Sequence, residues 1–310
     1  MDEKPEISIV IPLYNEEKNI TPLYNELAPA LKELCNYYEI LFVDDGSRDK
    51  SFDIIRQLSA QDSGVRGISL SRNFGHQVAL MAGLEHSTGN VVITMDADLQ
   101  HPPQFIREMY KAWQDGYDIV NTRREDIKNL GFIKRVTSKL FYMLINLLSD
   151  VRIESASADF RLLSRKVVDS FTSIRERDRF TRGLISWMGY KQTIIDYMQP
   201  ERFAGKSKYS LKKMLRFGID GITSFSSKPL RLSFYCGLFI LLCGIAYTIY
   251  AVVQYFLGVT APGWASILIS VLIIGGFQLL SLGIIGEYIA RIFNESKARP
   301  LYFVKDATFI

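Results

Sequence analysis

Two carboxylates stand two residues apart in Asp96-Ala97-Asp98, at the exit of the apolar run Val91-Val92-Ile93-Thr94-Met95 and ahead of Leu99-Gln100 and Pro102-Pro103. In an extended strand, side chains two apart project to one face, roughly 7 Å apart along the backbone, so Asp96, Asp98 and Gln100 can converge on one hard cation. A cation held there would neutralise a bound diphosphate. The competing reading is a helix N-terminus, with Asp98 capping a helix that begins at the prolines. Company weighs against it: Tyr14-Asn15-Glu16, Asp44-Asp45-Gly46-Ser47, Arg72-Asn73 and Arg123-Arg124 each follow an apolar run as well. Any one of these is ordinary turn chemistry. Five at equivalent ends describe one crevice.

The elements that must position them alternate. Apolar runs at Ile7 to Ile11, Glu39 to Val43, Val65 to Leu70, Val91 to Met95 and Asp118 to Asn121 are separated by helical patterns. The helices are expected from about Glu16 to Cys35, Lys50 to Leu58, His76 to Glu85 and Pro103 to Trp113. This rhythm predicts an α/β fold, a doubly wound and mostly parallel sheet with helices on both faces, and such sheets bind ligands beyond the carboxyl ends of their strands. No Gly-x-Gly-x-x-Gly follows the first strand and no Gly-x-x-x-x-Gly-Lys occurs, which argues against a dinucleotide dehydrogenase or a P-loop enzyme. A nucleotide bound without a glycine cradle still needs its diphosphate neutralised. Asp44 or Asp45 can accept the imide N–H of a uracil base.

Leu232 to Gly286 contains no Asp, Glu, Lys, Arg or His. That stretch is right for two membrane spans of ~20 residues each. Gly258 to Gly263 breaks it, giving expected spans at about Leu232 to Leu257 and Ala265 to Ile289. Lys228 and Arg231 precede the first span, and Arg291, Lys297 and Arg299 follow the second. The positive-inside rule then puts both termini and the N-terminal domain in the cytoplasm, as a multi-pass protein of the cell (inner) membrane. The first 30 residues hold no signal-peptide core. Of 310 residues with net charge +4, those before the spans suffice for one sizeable domain over 1–205. From Lys206 to Arg231 basic residues outnumber the single acid, Asp220, at roughly helical spacing, which predicts amphipathic helices on an anionic membrane surface. The hairpin would occupy 232–290 and a cytosolic tail 291–310. Residues 134–148 read either as a second membrane-docking helix or as a core helix. Cys35, Cys236 and Cys243 have no redox or metal spacing, and His76, His86 and His101 have no ligand-like spacing, so none is assigned to metal.

Ile9-Val10-Ile11-Pro12-Leu13-Tyr14-Asn15-Glu16, Val43-Asp44-Asp45-Gly46-Ser47, Ser71-Arg72-Asn73-Phe74-Gly75 and Asp96-Ala97-Asp98-Leu99-Gln100 resemble the family 2 glycosyltransferases of GT-A fold. Asp159-Phe160-Arg161-Leu162, the segment from Arg202 to Tyr209, Gly286-Glu287-Tyr288 and Arg299-Pro300-Leu301-Tyr302 narrow the resemblance to polyprenyl-phosphate glycosyltransferases, the branch of GtrB-type bactoprenol glucosyltransferases and dolichyl-phosphate mannose synthases. No Gln-x-x-Arg-Trp motif of the processive synthases is found, which favours transfer of a single sugar. The resemblance implies a nucleoside pocket lined by Pro12, Tyr14, Asn15, Glu16 and Asp44 or Asp45, with Asp96, Asp98 and Gln100 holding Mg2+ or Mn2+ against the donor diphosphate. It implies a UDP-sugar donor, UDP-glucose first, and an undecaprenyl phosphate acceptor attacking with inversion. UDP-GlcNAc, UDP-galactose, GDP-mannose or an aminoarabinose donor are alternatives, and a scaffold that has lost catalysis is the rival class. No nucleic acid partner is implied, and a homo-oligomer, by resemblance a tetramer, is. Arg123, Arg124, Lys139, Arg202 and Lys208 are the cations expected to hold the lipid phosphate. Asp159 is expected to orient the sugar or Arg161, with a purely structural salt bridge as the equal alternative.

Overall fold

The computed structural model describes residues 4–124, 157–174, 176–177, 181–197, 226–258 and 263–309. Lys139, Arg202, Lys208, the segment 134–148 and the juxtamembrane stretch up to residue 225 lie outside them.

β1 (Ile7–Leu13), β2 (Tyr38–Asp44), β3 (Val65–Leu70) and β4 (Val91–Thr94) form a parallel core in the order β4-β1-β2-β3, each strand linked to the next by a helix: α1 (Ile20–Lys32), α2 (Ser51–Gln61) and α3 (His76–His86). Helices on both faces explain why every residue of β1 is buried and why these strands read as unbroken apolar runs. Ile7, Ile9 and Ile11 pack with Leu23, Leu27 and Leu31 of α1. On the other face α3 approaches so closely that a Cβ on Gly83 would stand 2.2 Å from Val10 Cγ1.

α4 (Phe105–Gln114) leads to β5 (Ile119–Arg124), and β6 (Ser157–Ser164) runs antiparallel between β4 and β5. α5 (Arg165–Ser173), α6 (Thr181–Trp187) and β7 (Gln192–Tyr197) follow, with β7 parallel to β5 at one edge. The other edge is closed from the far end of the sequence. β8 (Val304–Ala307), inside the segment expected as a tail, pairs antiparallel with β3. The full order is β7-β5-β6-β4-β1-β2-β3-β8. The expected α/β architecture is present, with three antiparallel pairings added to the parallel core.

Between β7 and β8 the chain forms a separate helical unit containing α7 (Lys228–Phe256) and α8 (Trp264–Ser296). Both are long and apolar enough to cross a membrane, over Lys228–Gln254 and Ile273–Ser296. Leu238, Leu241, Ile245 and Ile249 of α7 are exposed, as lipid-facing residues would be. Ser233 and Ser281 hydrogen-bond between the two helices at 2.7 Å.

Candidate active site

The chain order reverses between β1 and β4, and the crevice beyond their carboxyl ends is where a doubly wound sheet offers a binding site. A cleft of about 400 Å³ opens there, lined by residues from four strand ends: Pro12, Leu13, Tyr14 and Glu16; Asp45; Asn73, Gly75, His76 and Ala79; and Asp96, Ala97 and Asp98.

The loops after β1 and β2 are knitted together. Asn15 lies in the left-handed region at φ 56°, its N–H donates to Ser47 Oγ (2.8 Å), and its Oδ1 accepts from Arg48 N–H (2.9 Å). Glu16 N–H donates to Ser51 Oγ and Glu17 N–H to Asp49 Oδ2. Because these amides are committed across loops, α1 begins at Ile20 and not at the expected Glu16.

Asp44 and Asp45 divide the work that sequence left open between them. Asp44 accepts from Ser47 N–H (2.9 Å) and Ser69 Oγ (2.7 Å), which pins the turn, and it is absent from the cleft lining. Asp45 lines the cleft and accepts from the N–H groups of Phe74 (2.7 Å) and Gly75 (2.9 Å). Burial pushes the Asp45 carboxyl above the usual carboxylate value; those two N–H bonds pull the other way, and neighbouring Asp44 adds to the rise.

Asp96 and Asp98 both face the cleft, but not from an extended strand. β4 ends at Thr94, and Asp96 to Gln100 form a turn with Leu99 at φ 60°, an uncommon conformation for a leucine. Gln100 N–H donates to Asp98 Oδ1 (3.2 Å), and Gln100, 7% exposed, is not among the lining residues. The alternation that would have put Gln100 beside the two aspartates is broken by that turn. Two oxygen-donor carboxylates at the mouth of a diphosphate-sized cleft fit Mg2+ or Mn2+, which hold few protein ligands and complete their shell with substrate phosphates and water. Among the described residues no larger His/Cys/Asp/Glu cluster offers a full protein cage.

Two histidines that spacing left without a role converge on Asp96. His76 Nε2 lies 3.6 Å from Asp96 Oδ1 and 3.8 Å from Asp159 Oδ2. His101, buried and stacked on Phe160 (centroids 4.9 Å, planes 9° apart), accepts the Asp96 N–H on Nδ1 at 3.0 Å. His76 had one usable signal, its place at the opening of the helix after a strand-end loop. His101 had none, since its contact depends on the turn folding back. Asp159 pairs with Arg161 at 3.2 Å as well as facing His76. Arg123 makes a two-pronged pair with Asp196 on β7 (2.7 and 2.9 Å), which holds the Asp196 carboxyl below its usual value.

The family model "Glycosyl transferase family 2" matches residues 8–171, more than half of the chain, which takes in the ends of all four strands that build this cleft. The chain belongs to glycosyltransferase family 2. A second model, "GtrB C-terminal hairpin", matches residues 228–292 of the transferase, across α7 and most of α8. The transferase is 44% identical over 308 residues to the uncharacterized glycosyltransferase YkcC of Bacillus subtilis (strain 168), covering 98% of this chain and 95% of that one. It is 41% identical over 301 residues to the bactoprenol glucosyl transferase of Shigella phage SfX, covering 96% and 98%. A crystal structure of glucosyl-3-phosphoglycerate synthase from Mycobacterium tuberculosis, in complex with Mn2+, UDP-glucose and phosphoglyceric acid, aligns with 71% of this chain and 78% of its own at 21% identity and a TM-score of 0.43. The transferase domain has the GT-A arrangement of a mixed sheet flanked by helices.

Proposed function

We propose that this transferase moves a single hexose, from UDP-glucose in the first instance, to a polyprenyl phosphate at the cytosolic face of the membrane, inverting the anomeric carbon. The observation that carries the reading is that one chain joins a carboxylate-lined cleft to an apolar helical hairpin. The relatives named bactoprenol glucosyl transferase, alike over nearly the whole chain, support this choice of acceptor class and sugar.

The nucleoside end of the donor lies against Pro12, Tyr14 and Asp45, and its diphosphate lies toward Asp96 and Asp98, which would hold Mg2+ or Mn2+. Such a cation supplies charge neutralisation to the departing nucleoside diphosphate. The acceptor phosphate oxygen is already anionic at neutral pH and attacks the anomeric carbon from the face opposite the diphosphate. As the new C–O bond forms, the bond to the diphosphate oxygen breaks and its electron pair leaves with UDP. No strong general base is required. His76, between Asp96 and Asp159, keeps those two carboxylates spaced at the reacting end. Arg123, Arg124, Lys139, Arg202 and Lys208 remain the cations proposed for the lipid phosphate. In this reading Arg123 exchanges Asp196 for phosphate.

The test is transfer of labelled sugar from a panel of UDP- and GDP-sugars to undecaprenyl phosphate by the purified full-length protein, with Mg2+ or Mn2+ and with EDTA. Metal-dependent, organic-extractable product from UDP-glucose is the expected result. Product from a different donor corrects the sugar and keeps the reaction. No product from any donor, with UDP binding intact, overturns the proposal.

A further inference from the structure

The chain returns from its hairpin to the domain it left, and what it does there exceeds sealing an edge. β8 covers the open side of β3, and its pairing, with Thr308 exchanging hydrogen bonds with Gly67, accounts for residues 304–308 as edge protection. Tyr302 and Phe303 lie beyond that strand. Phe303 O accepts the Ser71 N–H at 2.9 Å, the Phe303 ring stands 6.5 Å from that of Phe74, and the Arg72 guanidinium lies over the Phe74 ring at 4.2 Å. The Tyr302 hydroxyl donates to Glu85 Oε2 at 2.5 Å and lies 3.4 Å from His86 Nδ1. One residue thus grips the turn that enters α3, the other the last turn of α3. The span between these grips carries the cleft residues Asn73, Gly75, His76 and Ala79, and the Phe74 and Gly75 amides are the donors that fix Asp45.

We propose that Phe303, with Tyr302, is a positioning residue for the nucleoside diphosphate: it holds the Arg72–Gly75 turn, through which Asp45 is set, so that segments on either side of the hairpin build one donor site. The inference rests on the reading of the cleft as a nucleotide-sugar site. Phe303 reaches the cleft through Ser71 and Phe74, on the donor side, so its effect belongs to donor binding and not to the lipid acceptor. It is 57% exposed, so shortening it leaves no core cavity and the variant is expected to fold.

The experiment uses full-length wild type, Phe303→Ala, Phe303→Tyr and Tyr302→Phe. UDP affinity is measured by calorimetry with Mn2+, and KM for nucleotide sugar and for undecaprenyl phosphate are measured separately. Phe303→Ala is expected to weaken UDP binding and raise donor KM by about three- to tenfold, the scale of a lost aromatic contact, with kcat and lipid KM within about twofold. Phe303→Tyr, which keeps the ring, is expected to restore both, and Tyr302→Phe to fall between. Unchanged UDP affinity in Phe303→Ala overturns the inference. So does an equal loss in both KM values and kcat with a lowered thermal midpoint, the mark of a merely structural role. If wild type binds UDP but transfers no sugar, the proposed reaction fails while weaker UDP binding by Phe303→Ala still supports the positioning role. If wild type binds neither UDP nor GDP, both fail.

Discussion

Gly46 occupies a position where no side chain fits. Its φ is +68°, and a Cβ there would stand 2.5 Å from the Arg72 carbonyl carbon and 2.8 Å from Arg72 Cα, so the turns after β2 and β3 meet backbone to backbone. Gly46→Ala must therefore push the Arg72 turn away from Asp45, at a cost of roughly 1–3 kcal/mol for the strained backbone. The expected outcome is a lower thermal midpoint together with weaker UDP binding; a variant matching wild type in both would refute the argument. Asp98 carries a different prediction. It faces the cleft and its Oδ1 takes the Gln100 N–H, so Asp98→Ala is expected to lose transfer by about 100-fold or more with the fold retained. Asp115→Ala, which removes an exposed carboxylate at the end of α4, is the matched control and should keep wild-type rates. Equal activity in the two variants would remove Asp98 from the chemistry.

At the scale of elements, α1, β2 and the end of α2 are tied by one carboxylate. Tyr24 and Tyr38 donate to Asp62 Oδ2 at 2.9 and 2.7 Å, and Gly64 N–H donates to Oδ1 at 2.8 Å. Burial alone would raise the Asp62 carboxyl, but these three donors together with the Lys32 charge outweigh it and the group ends below its usual value, while burial and Asp62 together raise both tyrosines. A carboxyl lowered on folding adds stability that is present above its unfolded value of 3.8 and is lost as pH falls through the folded value. Asp62→Asn is thus expected to cost roughly 1 kcal/mol at pH 7, or about 2–4 °C in midpoint, with the gap to wild type closing as pH is taken below 4. A gap that stays constant with pH would mean that the charge plays no part. These same elements show what sequence could and could not disclose. β1 to β4 were legible because strands buried on both faces are continuous apolar runs such as Ile7 to Ile11. The start of α1 was not, because Asn15, Glu16 and Glu17 give their amides to residues more than 30 positions away. Asp96 and Asp98 were legible by type and place, and Gln100 was misplaced because the left-handed Leu99 ends the alternation that spacing assumed. β8 was hidden for a related reason: four half-exposed residues, Val304–Ala307, make a strand only because β3 offers an edge.

For the whole molecule, the pairing of β8 with β3 sets a parity. β3 precedes the apolar hairpin and β8 follows it, yet the two share hydrogen bonds, so the chain must cross any membrane an even number of times between them. α7 and α8 are two helices fit to cross, and the short connection from Ser296 to Val304 leaves no room for a further span of ~20 residues. The placement of Lys228, Arg231, Arg291 and Lys297 leads separately to the same expected topology through the positive-inside rule. Both lines lead to the expectation that the cleft and the C-terminus share one face of the membrane. A fluorescent protein fused after Ile310 is expected to fold and fluoresce in the cytoplasm, alkaline phosphatase at the same point to be inactive, and a cysteine placed at Thr260 to react with an impermeant thiol reagent added outside intact cells. Active phosphatase at the C-terminus would mean an odd number of crossings, and β8 could then not reach β3 of its own chain. An unlabelled Thr260 cysteine with a cytoplasmic C-terminus would instead mean that the hairpin enters the membrane and turns back without crossing, which keeps the pairing of β8 and removes the two spans.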